Sequence, residues 1–584
     1  MQRALAACCF LLVSACAFSQ SFQFEISIPR AAEHVVHVKM RSEGLSGEVQ
    51  DFKMPAWMPG YYRLMDYAKN VADFQVKDGV GHALAWEKVT RNTWRVATGA
   101  TPAVILDYDV TGTVSFVAQS FVGDRRAYLA PPGLFLHVPG QLARPATVTV
   151  LPPAGWERIA TGLDRVAGRT NTFSAVNFDV LYDAPILMGN QEALRFEVKG
   201  VPHFVALENV PASVDRATLL ADLARMVQAA TAMMGDIPYT HYSFLMMGTG
   251  NGGIEHLNSA SIAFNGNSLT TPDGYRGWLS YVAHEYFHNF NVKRIRPIAL
   301  GPFDYDRENL TNMLWVSEGL SVYYQDLLLV RAALATREQY LAKMGAAMAR
   351  FANATGHLYQ SATESSFNTW GNSGVGTDRN TTISYYDNGA MLGAMLDLAI
   401  RHESRNRQSL DDVMRALYRT YYREKQRGFT DAEFRQACET AAGASLAEIF
   451  EYASAPMQMD YAKYFAYAGL TVEATASAGN GAYAGIHAQA REGGLEVVDV
   501  EGPARQGLRA GDMIVEVEGA KATVKALHEA IAGKQAGGKL HLKTARGEVE
   551  LELAVAPKWS FAIRPAAGPA GLQSEILESW LRTR

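Results

Sequence analysis

The spacing of apolar residues changes twice along the chain, and this change constrains the fold more than any other feature of the sequence. Up to Gly200, apolar and polar residues alternate within short segments such as Phe22–Ile28 and Ala103–Val110. Turns rich in Gly, Pro and Asp separate these segments, which is typical of antiparallel strands. From Ser213 onward apolar residues recur at helical spacing, and after about Tyr461 the alternation returns. The pattern predicts a multidomain α+β protein with an N-terminal antiparallel β-sandwich, a mostly helical central domain and a C-terminal β domain.

The length agrees with several domains, because a chain of 584 residues at roughly 100–200 residues per domain contains about two to four of them. We predict a signal segment over residues 1–19, a β domain over 20–200, a central domain over 201–460, a second β domain over 461–560 and a tail over 561–584. Within the tail, Leu572–Leu581 is expected to form a short amphipathic helix.

The first 19 residues resemble a secretory signal. Arg3 precedes an apolar run, Ala4–Val13, and small residues follow. The alternative is a buried N-terminal helix, which the length of the run and its flanks disfavour. The sequence Val13–Cys16 also resembles a lipoprotein box, which would acylate Cys16; the alternative is cleavage after Ala17 or Ser19. We therefore expect an exported protein, periplasmic or secreted, that associates with a membrane only if Cys16 carries a lipid.

Charge and cysteine content exclude two kinds of protein. The formal net charge of −5 lacks the basic excess of a nucleic-acid binder, so we expect no nucleic-acid partner. Three of the four cysteines lie within the first 16 residues, which leaves Cys438 alone in the rest of the chain. Neither an internal disulfide nor a cysteine-based metal site is expected.

The strongest chemical signal is the motif His284-Glu285-Tyr286-Phe287-His288. Two histidines at i and i+4 lie one turn apart on a helix face, so both imidazoles can reach one cation. Glu285 can point into the same site and take a proton from a metal-bound water. Such a motif is expected by chance about 0.03 times in a chain of this composition, and its apolar neighbours predict a buried helix rather than a surface helix with incidental histidines.

A catalytic zinc site needs a third protein ligand and an open position. Glu318 is the one acid within the apolar segment Leu314–Ser321, where an isolated carboxylate would be costly to bury. This cost favours metal ligation over an ion pair with Lys293, Arg294 or Arg296. The rival acids, Asp306 and Glu308, occupy a polar connecting segment. We predict one Zn²⁺ per chain.

Several further segments make a family resemblance specific. The motif at 284–288, together with Asn291–Pro297, Gly301–Tyr305 and Trp315–Gly319, resembles the glycyl aminopeptidase family of zinc metallopeptidases, and Trp57–Tyr61 also fits its layout. The resemblance covers nearly the whole chain after the signal segment. It implies a thermolysin-like catalytic domain, with zinc on the two motif histidines and Glu318 and with Glu285 as general base.

The segment Gly252-Gly253-Ile254-Glu255-His256 resembles the exopeptidase motif of related aminopeptidases. The resemblance implies that Gly252 and Gly253 form a strand beside the substrate and that Glu255 binds its free α-amine. An anionic group near the metal would select a cationic N-terminus and fix which peptide bond is cleaved. The alternative is an ordinary turn after the predicted strand Tyr242–Met247.

The segment Ile383–Gly389 resembles the one whose tyrosine donates a hydrogen bond to the oxyanion of the tetrahedral intermediate. Alignment on the glycine makes that residue Tyr386, with Tyr385 as the rival. The sequence departs from the family at Asn388, where a lysine is common, and at Phe290, where a tryptophan is expected. Neither is a proposed ligand, so the departures concern pocket shape and substrate choice.

The C-terminal β region resembles a bacterial PDZ domain over about Leu470–Val555. Gly502–Val515 supplies the turn, the helical turn and the buried strand of that fold, and Tyr483–Ile486 resembles its carboxylate-binding loop. A PDZ groove would hold a peptide or a chain terminus by β-addition. A purely structural or intramolecular cap is the equal alternative.

Taken together, the motifs lead us to expect a zinc-dependent aminopeptidase that removes N-terminal residues from peptides by metal-activated water. The family resemblance implies small first residues, Gly or Ala. One alternative is an endo-acting or broad-specificity zinc peptidase in which Glu255 is structural. The other is a peptide-binding scaffold that works through the PDZ-like groove and carries a structural zinc.

Overall fold

The computed structural model describes residues 21–99, 101–371, 378–569 and 571–582. The predicted signal segment and Cys16 lie outside the described residues. The chain forms two compact units. The first contains the chain up to Arg216 together with Tyr239–Thr271 and Phe303–Glu308, and the second contains Ala217–Pro238, Pro272–Pro302 and Asn309–Arg584.

The N-terminal part of the first unit is built almost entirely of strands. They are β1 (Phe22–Arg30), β2 (Val35–Glu43), β3 (Val49–Lys53), β4 (Val71–Asp78), β5 (Trp86–Thr90), β6 (Thr93–Ala97), β7 (Ala103–Thr111), β8 (Phe121–Val122), β9 (Arg126–Leu129), β10 (Ala146–Leu151), β11 (Arg158–Thr161), β12 (Asp164–Arg165), β13 (Thr172–Ala175) and β14 (Ile186–Gly189), with helix α1 (Phe178–Tyr182) before β14. Seven strands form one sheet in the order β12-β13-β10-β1-β2-β7-β4, and two smaller sheets follow the orders β11-β14-β9-β8 and β3-β6-β5.

The alternation alone predicted an antiparallel sheet, but the large sheet is not wholly antiparallel. Strands β1 and β10 run parallel, with Phe22 opposite Ala146 and Ser27 opposite Leu151. Parallel neighbours need a long crossover, and the more than one hundred residues between these strands provide it. The sequence pattern identified both strands but not their relative direction, because alternation reports only which face of a strand is buried.

The remaining strands of the first unit form a five-stranded sheet. They are β15 (Glu192–Val198), β16 (Val201–Glu208), β17 (Tyr242–Met247), β18 (Gly252–Glu255) and β19 (Ser259–Ala263), and their order is β15-β16-β17-β19-β18. Every residue of β17 is buried, which is typical of a central parallel strand. Strand β18 lies at the edge of the sheet, paired antiparallel to β19.

Helices dominate the second unit. They are α2 (Arg216–Met234, whose first residue belongs to the first unit), α3 (Pro272–Phe287), α4 (Leu320–Arg331), α5 (Arg337–Ala352), α6 (Ala362–Phe367), α7 (Tyr385–Glu403), α8 (Leu410–Leu417), α9 (Asp431–Ala442), α10 (Ala447–Ser454) and α11 (Tyr461–Ala466). Capping boxes fix several N-termini, for example Thr336 with Gln339 at α5 and Thr430 with Glu433 at α9. Cys438 is buried in α9, and this burial raises the pKa of its thiol.

The described part of the polar stretch 353–382 is partly helical. It contains a 3₁₀ turn at Thr355–Leu358 and helix α6. Ser361 and Glu364 form a capping box at the start of α6. The Ser and Asn content of this stretch therefore reflects helix caps and short turns as well as loop.

The C-terminal module follows α11 and belongs to the second unit. It contains β20 (Leu470–Tyr483), β21 (Ile486–Arg491), β22 (Gly494–Val500), β23 (Met513–Val517), β24 (Ala520–Lys521), α12 (Val524–Ala532), β25 (Lys539–Thr544), β26 (Gly547–Glu552) and β27 (Ala554–Pro565). A sheet in the order β21-β22-β23-β25-β26, with β24 beside β23, is accompanied by a two-stranded ribbon of β20 and β27. Leu495, Ile514, Leu527 and Leu540 are buried in its core.

Two residues from outside the C-terminal module complete its core. Leu358 and Tyr359, which follow the 3₁₀ turn after α5, are 3% and 5% exposed and belong to the same apolar cluster as Ile486 of β21 and Leu527 of α12. The ring of Tyr359 contacts that of His528 on α12 at 6.5 Å between centroids. The core of the module therefore includes two residues of the helical region.

The predicted tail helix is present as α13 (Leu572–Trp580). Its Trp580 is fully buried and donates a hydrogen bond to the Tyr323 hydroxyl of α4 at 2.7 Å. Across the described residues, each helix is too short or too polar to serve as a membrane span.

Candidate metal centre

Helix α3 carries the first part of the site near its C-terminus. Val282, Ala283, Tyr286 and Phe287 are buried, so the helix is held in the core, and His284 and His288 are only 7% and 1% exposed. Their Nε2 atoms lie 3.0 Å apart, and the rings stand nearly perpendicular at 86°. The i, i+4 spacing thus places two imidazole nitrogens at one point, as the motif predicted.

The third donor comes from an irregular turn. Trp315–Gly319 is a π-helical segment that leads directly into α4. It places Oε2 of Glu318 at 3.5 Å from Nε2 of His284 and at 3.1 Å from Nε2 of His288. Inserted π turns are frequent at functional sites because they re-aim a side chain within a helix.

The charge state of Glu318 suits a ligand. The side chain is buried, which by itself raises the pKa of a carboxyl group, but the imidazoles of His288 and His284 beside it outweigh burial and hold the pKa well below its usual range. The carboxylate is therefore ionised at neutral pH, as metal ligation requires.

Arg294, one of the basic residues weighed as ion-pair partners of Glu318, contacts backbone carbonyl oxygens. Arg294 donates hydrogen bonds to the carbonyl oxygens of Asn289 and Pro238 at 2.7 and 3.0 Å. Of the rival acids, Asp306 pairs with Lys53 at 2.6 Å within the first unit. These contacts favour the ligand role for Glu318.

Asn291 positions two of the three donors, and the sequence did not single it out for this role. Its carbonyl oxygen accepts a hydrogen bond from Nδ1 of His288 at 2.6 Å, which leaves Nε2 of that ring to face the metal position. Its side-chain amide donates to the carbonyl oxygens of Val316 and Ser317 at 2.9 Å each. One buried residue thus links the end of α3 to the turn that carries Glu318.

Two glycines allow α7 to pack directly on this turn. A Cβ atom built on Gly389 would lie 2.4 Å from the carbonyl oxygen of Trp315, and one built on Gly319 would lie 2.4 Å from Cα of Gly389. Such a close backbone approach tolerates no side chain at either position. The contact sets the distance between α7 and the segment that carries Glu318.

The two candidate tyrosines begin α7 and have different surroundings. The ring centroid of Tyr386 lies 6.2 Å from that of His284, and the residue is half-buried. Tyr385 is 1% exposed, and its hydroxyl oxygen lies 3.2 Å from that of Thr369. The surroundings favour Tyr386 as the tyrosine on the metal side.

The residues of the exopeptidase-like segment lie in the first unit. Gly252, Gly253 and Glu255 belong to the edge strand β18, and Glu255 is 3% exposed. A Cβ atom on Gly60 would lie 2.9 Å from both carboxylate oxygens of Glu255, so only glycine lets the Trp57–Tyr61 segment approach so closely. This gives that segment a role beside Glu255, which the sequence left open.

Buried polar contacts fix the strand end that follows Glu255. His256 is fully buried, with Nδ1 3.2 Å from a carboxylate oxygen of Asp183 and Nε2 3.1 Å from the hydroxyl of Ser261. The same aspartate accepts a hydrogen bond from the backbone N–H of Leu257 at 2.7 Å. The segment is thus a rigid strand end and not the ordinary turn that was the alternative.

The donor set at the end of α3 fits zinc. Two imidazole nitrogens and one carboxylate oxygen converge in a buried position, and this is the three-ligand set that catalytic zinc uses with a fourth position open.

Comparison with known proteins gives a consistent picture. A family model described as the M61 peptidase N-terminal domain matches residues 23–190, and one described as M61 glycyl aminopeptidase matches residues 277–392. An aminopeptidase N family protein from Idiomarina loihiensis is 25% identical with a TM-score of 0.76, over 96% of this chain and all of that one. A search of curated proteins gave no match.

A second solved structure shares the fold at lower identity. It is a mutant M1 zinc metallopeptidase from Deinococcus radiodurans, bound to a Tyr-Ser-Ala substrate. The identity is 15% and the TM-score 0.50, over 76% of this chain and 95% of that one.

The fold and the site define a class, the metallopeptidases with a His-Glu-x-x-His helix and an acidic third donor. Within that class, residues 23–190 match the model of the M61 N-terminal domain and residues 277–392 match that of the M61 glycyl aminopeptidase. It is a zinc aminopeptidase, as the motifs predicted.

Proposed function

We propose that His284, His288 and Glu318 hold one zinc ion and that Glu285 is the general base. The observation that carries this proposal is the convergence of three buried donor atoms, separated by 3.0 to 3.5 Å. Zinc bound there would polarise the scissile carbonyl and lower the pKa of a water molecule toward neutrality.

Glu285 would take a proton from the attacking water and pass it to the leaving amine. It directly follows His284, the first proposed ligand, on α3, and it is buried, with 4% exposure. A carboxylate next to a metal ligand on one rigid helix can keep its orientation through both proton transfers.

Tyr386 would donate a hydrogen bond to the oxyanion that develops on the former carbonyl oxygen. Its position beside His284 supports this role over Tyr385, whose hydroxyl lies next to Thr369. A fixed hydroxyl that meets the charge only as it develops lowers the barrier rather than tightening substrate binding.

Glu255 would bind the free α-amine of a peptide. An edge strand exposes unpaired backbone groups, so Gly252 and Gly253 of β18 can pair with the main chain of an extended substrate. The buried Glu255 at the end of this strand would then meet the first residue. The Deinococcus radiodurans enzyme binds a tripeptide, and we carry over peptides as the substrate class.

The specificity we propose is for small first residues, Gly or Ala, and its support is the description of the matching family as glycyl aminopeptidase. A panel of aminoacyl anilides with Gly, Ala, Leu and Phe would measure kcat/KM for each. We expect the Gly and Ala substrates to be cleaved fastest. Faster cleavage of the Leu or Phe anilide would contradict this specificity.

The role of Glu255 has a separate test. Glycyl anilide should be cleaved and its N-acetyl derivative should not, and Glu255→Gln should lower kcat/KM for the free amine with zinc content unchanged. Equal cleavage of both substrates would favour the endo-acting or broad-specificity alternative. The matched control is Asp164→Asn, which neutralises an exposed acid of the same unit and so tests for a general charge effect.

For the C-terminal module we propose a PDZ-like domain that acts as an intramolecular cap. Support comes from the order of its elements and from Leu358 and Tyr359, which pack beside β21 and α12, the strand and helix that would form the groove. A peptide with a free carboxyl terminus should then bind weakly or not at all to the full chain. Micromolar binding of such peptides in a fluorescence-anisotropy screen would contradict the cap.

Export is also a proposal, based on residues 1–19. The mass of the mature protein recovered from the periplasm or medium would give the cleavage site, and Cys16→Ser would separate the lipidated form from the soluble one. Retention of residues 1–19 in the mature protein would refute it.

A further inference from the structure

A second group of side chains that could ligate a metal lies outside the catalytic motif. It consists of His357 from the 3₁₀ turn at Thr355–Leu358, His487 from β21 and Glu501, which follows β22. One nitrogen of each histidine and one carboxylate oxygen all lie within 4.8 Å of one another. The imidazole centroids are 5.7 Å apart, and the three residues belong to the same unit.

The hydrogen bonds of the two histidines determine which ring nitrogens remain for a ligand. Nδ1 of His357 lies 2.8 Å from the carbonyl oxygen of Ala354, and Nδ1 of His487 lies 3.1 Å from that of Pro456. A carbonyl oxygen can only accept, so each Nδ1 carries a proton and each neutral ring keeps its lone pair on Nε2. His288 has the same arrangement at the catalytic site, and it is the usual one for metal-binding histidines.

The third residue adds a carboxylate oxygen to the same place. Oε1 of Glu501 lies 3.3 Å from Nε2 of His487 and accepts a hydrogen bond from the hydroxyl of Tyr483. His487 is fully buried and the side chain of Glu501 is 19% exposed, so water screens this charge poorly.

Without a cation, this geometry is unfavourable for neutral histidines. The lone pair of His487 would face a carboxylate oxygen, and His357 would bring a second lone pair to the same place. A protonated His487 would relieve the first contact only. A divalent cation would satisfy all three acceptors together, as the His/His/Glu set does in zinc proteins.

We propose that His357, His487 and Glu501 form a second metal site, selective for a borderline divalent cation such as Zn²⁺. Two imidazoles with one carboxylate favour zinc over magnesium or calcium, which prefer oxygen ligands. The site joins the helical region to the C-terminal module, since His357 comes from the first and the other two ligands from the second. Directly after His357, Leu358 and Tyr359 enter the core of the module, so metal binding holds this segment in place.

Metal analysis of the full chain tests the proposal. After dialysis against metal-free buffer, the wild-type protein should carry two zinc ions per chain, His487→Ala one, Glu318→Ala one, and the double variant none. His541→Ala is the matched control, because His541 is an exposed histidine of the same module beside Glu550, and it should carry two. One zinc in the wild type, or two in His487→Ala, would overturn the second site.

The two proposed sites fail in different ways in this experiment. Metal retained by Glu318→Ala at the wild-type level would refute the catalytic ligand set and leave the second site standing. Metal unaffected by His487→Ala would refute the second site alone.

A milder variant and a spectroscopic readout guard against misfolding. Glu501→Gln keeps the size of the side chain and its acceptor for Tyr483, and it should weaken the second zinc at least tenfold. In the Glu318→Ala background, Co²⁺ should give visible d–d absorption, and zinc should raise the unfolding temperature of the module. Both effects should vanish with Glu501→Gln at low metal concentration; their persistence at wild-type strength would overturn the proposal.

Discussion

The contact between Gly389 and the turn that carries Glu318 offers the sharpest test of the catalytic site, through Gly389→Ala. A Cβ at this position would start 2.4 Å from the carbonyl oxygen of Trp315 and 2.8 Å from Cα of Gly319. Such contacts are essentially never shorter than 3.0 Å, so α7 and the π-helical turn must separate by more than half an ångström. Both obstacles are backbone atoms, which cannot rotate away.

This separation acts on the metal site through Glu318. Its carboxylate oxygen is now 3.1 and 3.5 Å from the two histidine nitrogens, and the displacement exceeds the tolerance of a zinc site, about 0.2 Å in ligand distance. We expect zinc affinity to fall about 10–100-fold, the size typical for loss of support around a ligand. Overpacking should also cost about 1–3 kcal/mol of stability.

The assay is a zinc titration in competition with a chromophoric chelator, together with thermal unfolding of the metal-free protein. Gly277→Ala is the matched control, because Gly277 lies on α3 and a Cβ there would meet no atom within 4 Å. It should leave zinc affinity unchanged and, with alanine's better helix propensity, stabilise the protein by up to about 1 kcal/mol. If Gly389→Ala matches the wild type in zinc affinity and unfolding temperature, the close contact does not set the position of Glu318.

Three further outcomes follow from the same geometry. Glu285→Gln should keep zinc by metal analysis but lower kcat about 10²–10⁴-fold, and unchanged turnover would remove it as the base. Tyr386→Phe should lower kcat about 10²–10³-fold, whereas Tyr385→Phe should change it only a few-fold; the reverse order would exchange their roles. Arg331→Met should destabilise the protein by about 3–5 kcal/mol in urea unfolding, because it leaves Asp411 buried without its partner at 2.9 Å. Burial raises the pKa of Asp411, but Arg331 outweighs it and lowers the pKa overall. In the wild type the stability contributed by this ion pair is therefore present above the unfolded-state pKa of about 3.9 and is lost as pH falls through the lower folded value. A pH-independent difference in stability between wild type and variant below pH 4 would contradict that sign.

Local sequence was sufficient for the parts of the catalytic site that lie on one element. The spacing of His284 and His288 places both rings on one helix face whatever the rest of the chain does. The isolated acid Glu318 was identifiable because a buried charge requires a partner. The change of apolar period likewise predicted the order of β-rich, helical and β-rich regions.

Other features depend on elements that are distant in sequence. The parallel pairing of β1 with β10, the backing of Glu255 by Gly60 and the contact of Gly319 with Gly389 each join segments that no local pattern relates. Tyr385 and Tyr386 are neighbours in one motif, and only the packing of α7 distinguishes their surroundings.

The sequence by itself determined which residues could bind a metal at the catalytic site. The tertiary structure decided which residues that are distant in sequence lie together in one site. His357 and His487 are 130 residues apart, and nothing near either one in sequence predicted a common site with Glu501. The physical reason is that periodicity records which face of an element is buried, whereas the partner of that face is chosen by the packing of the whole core.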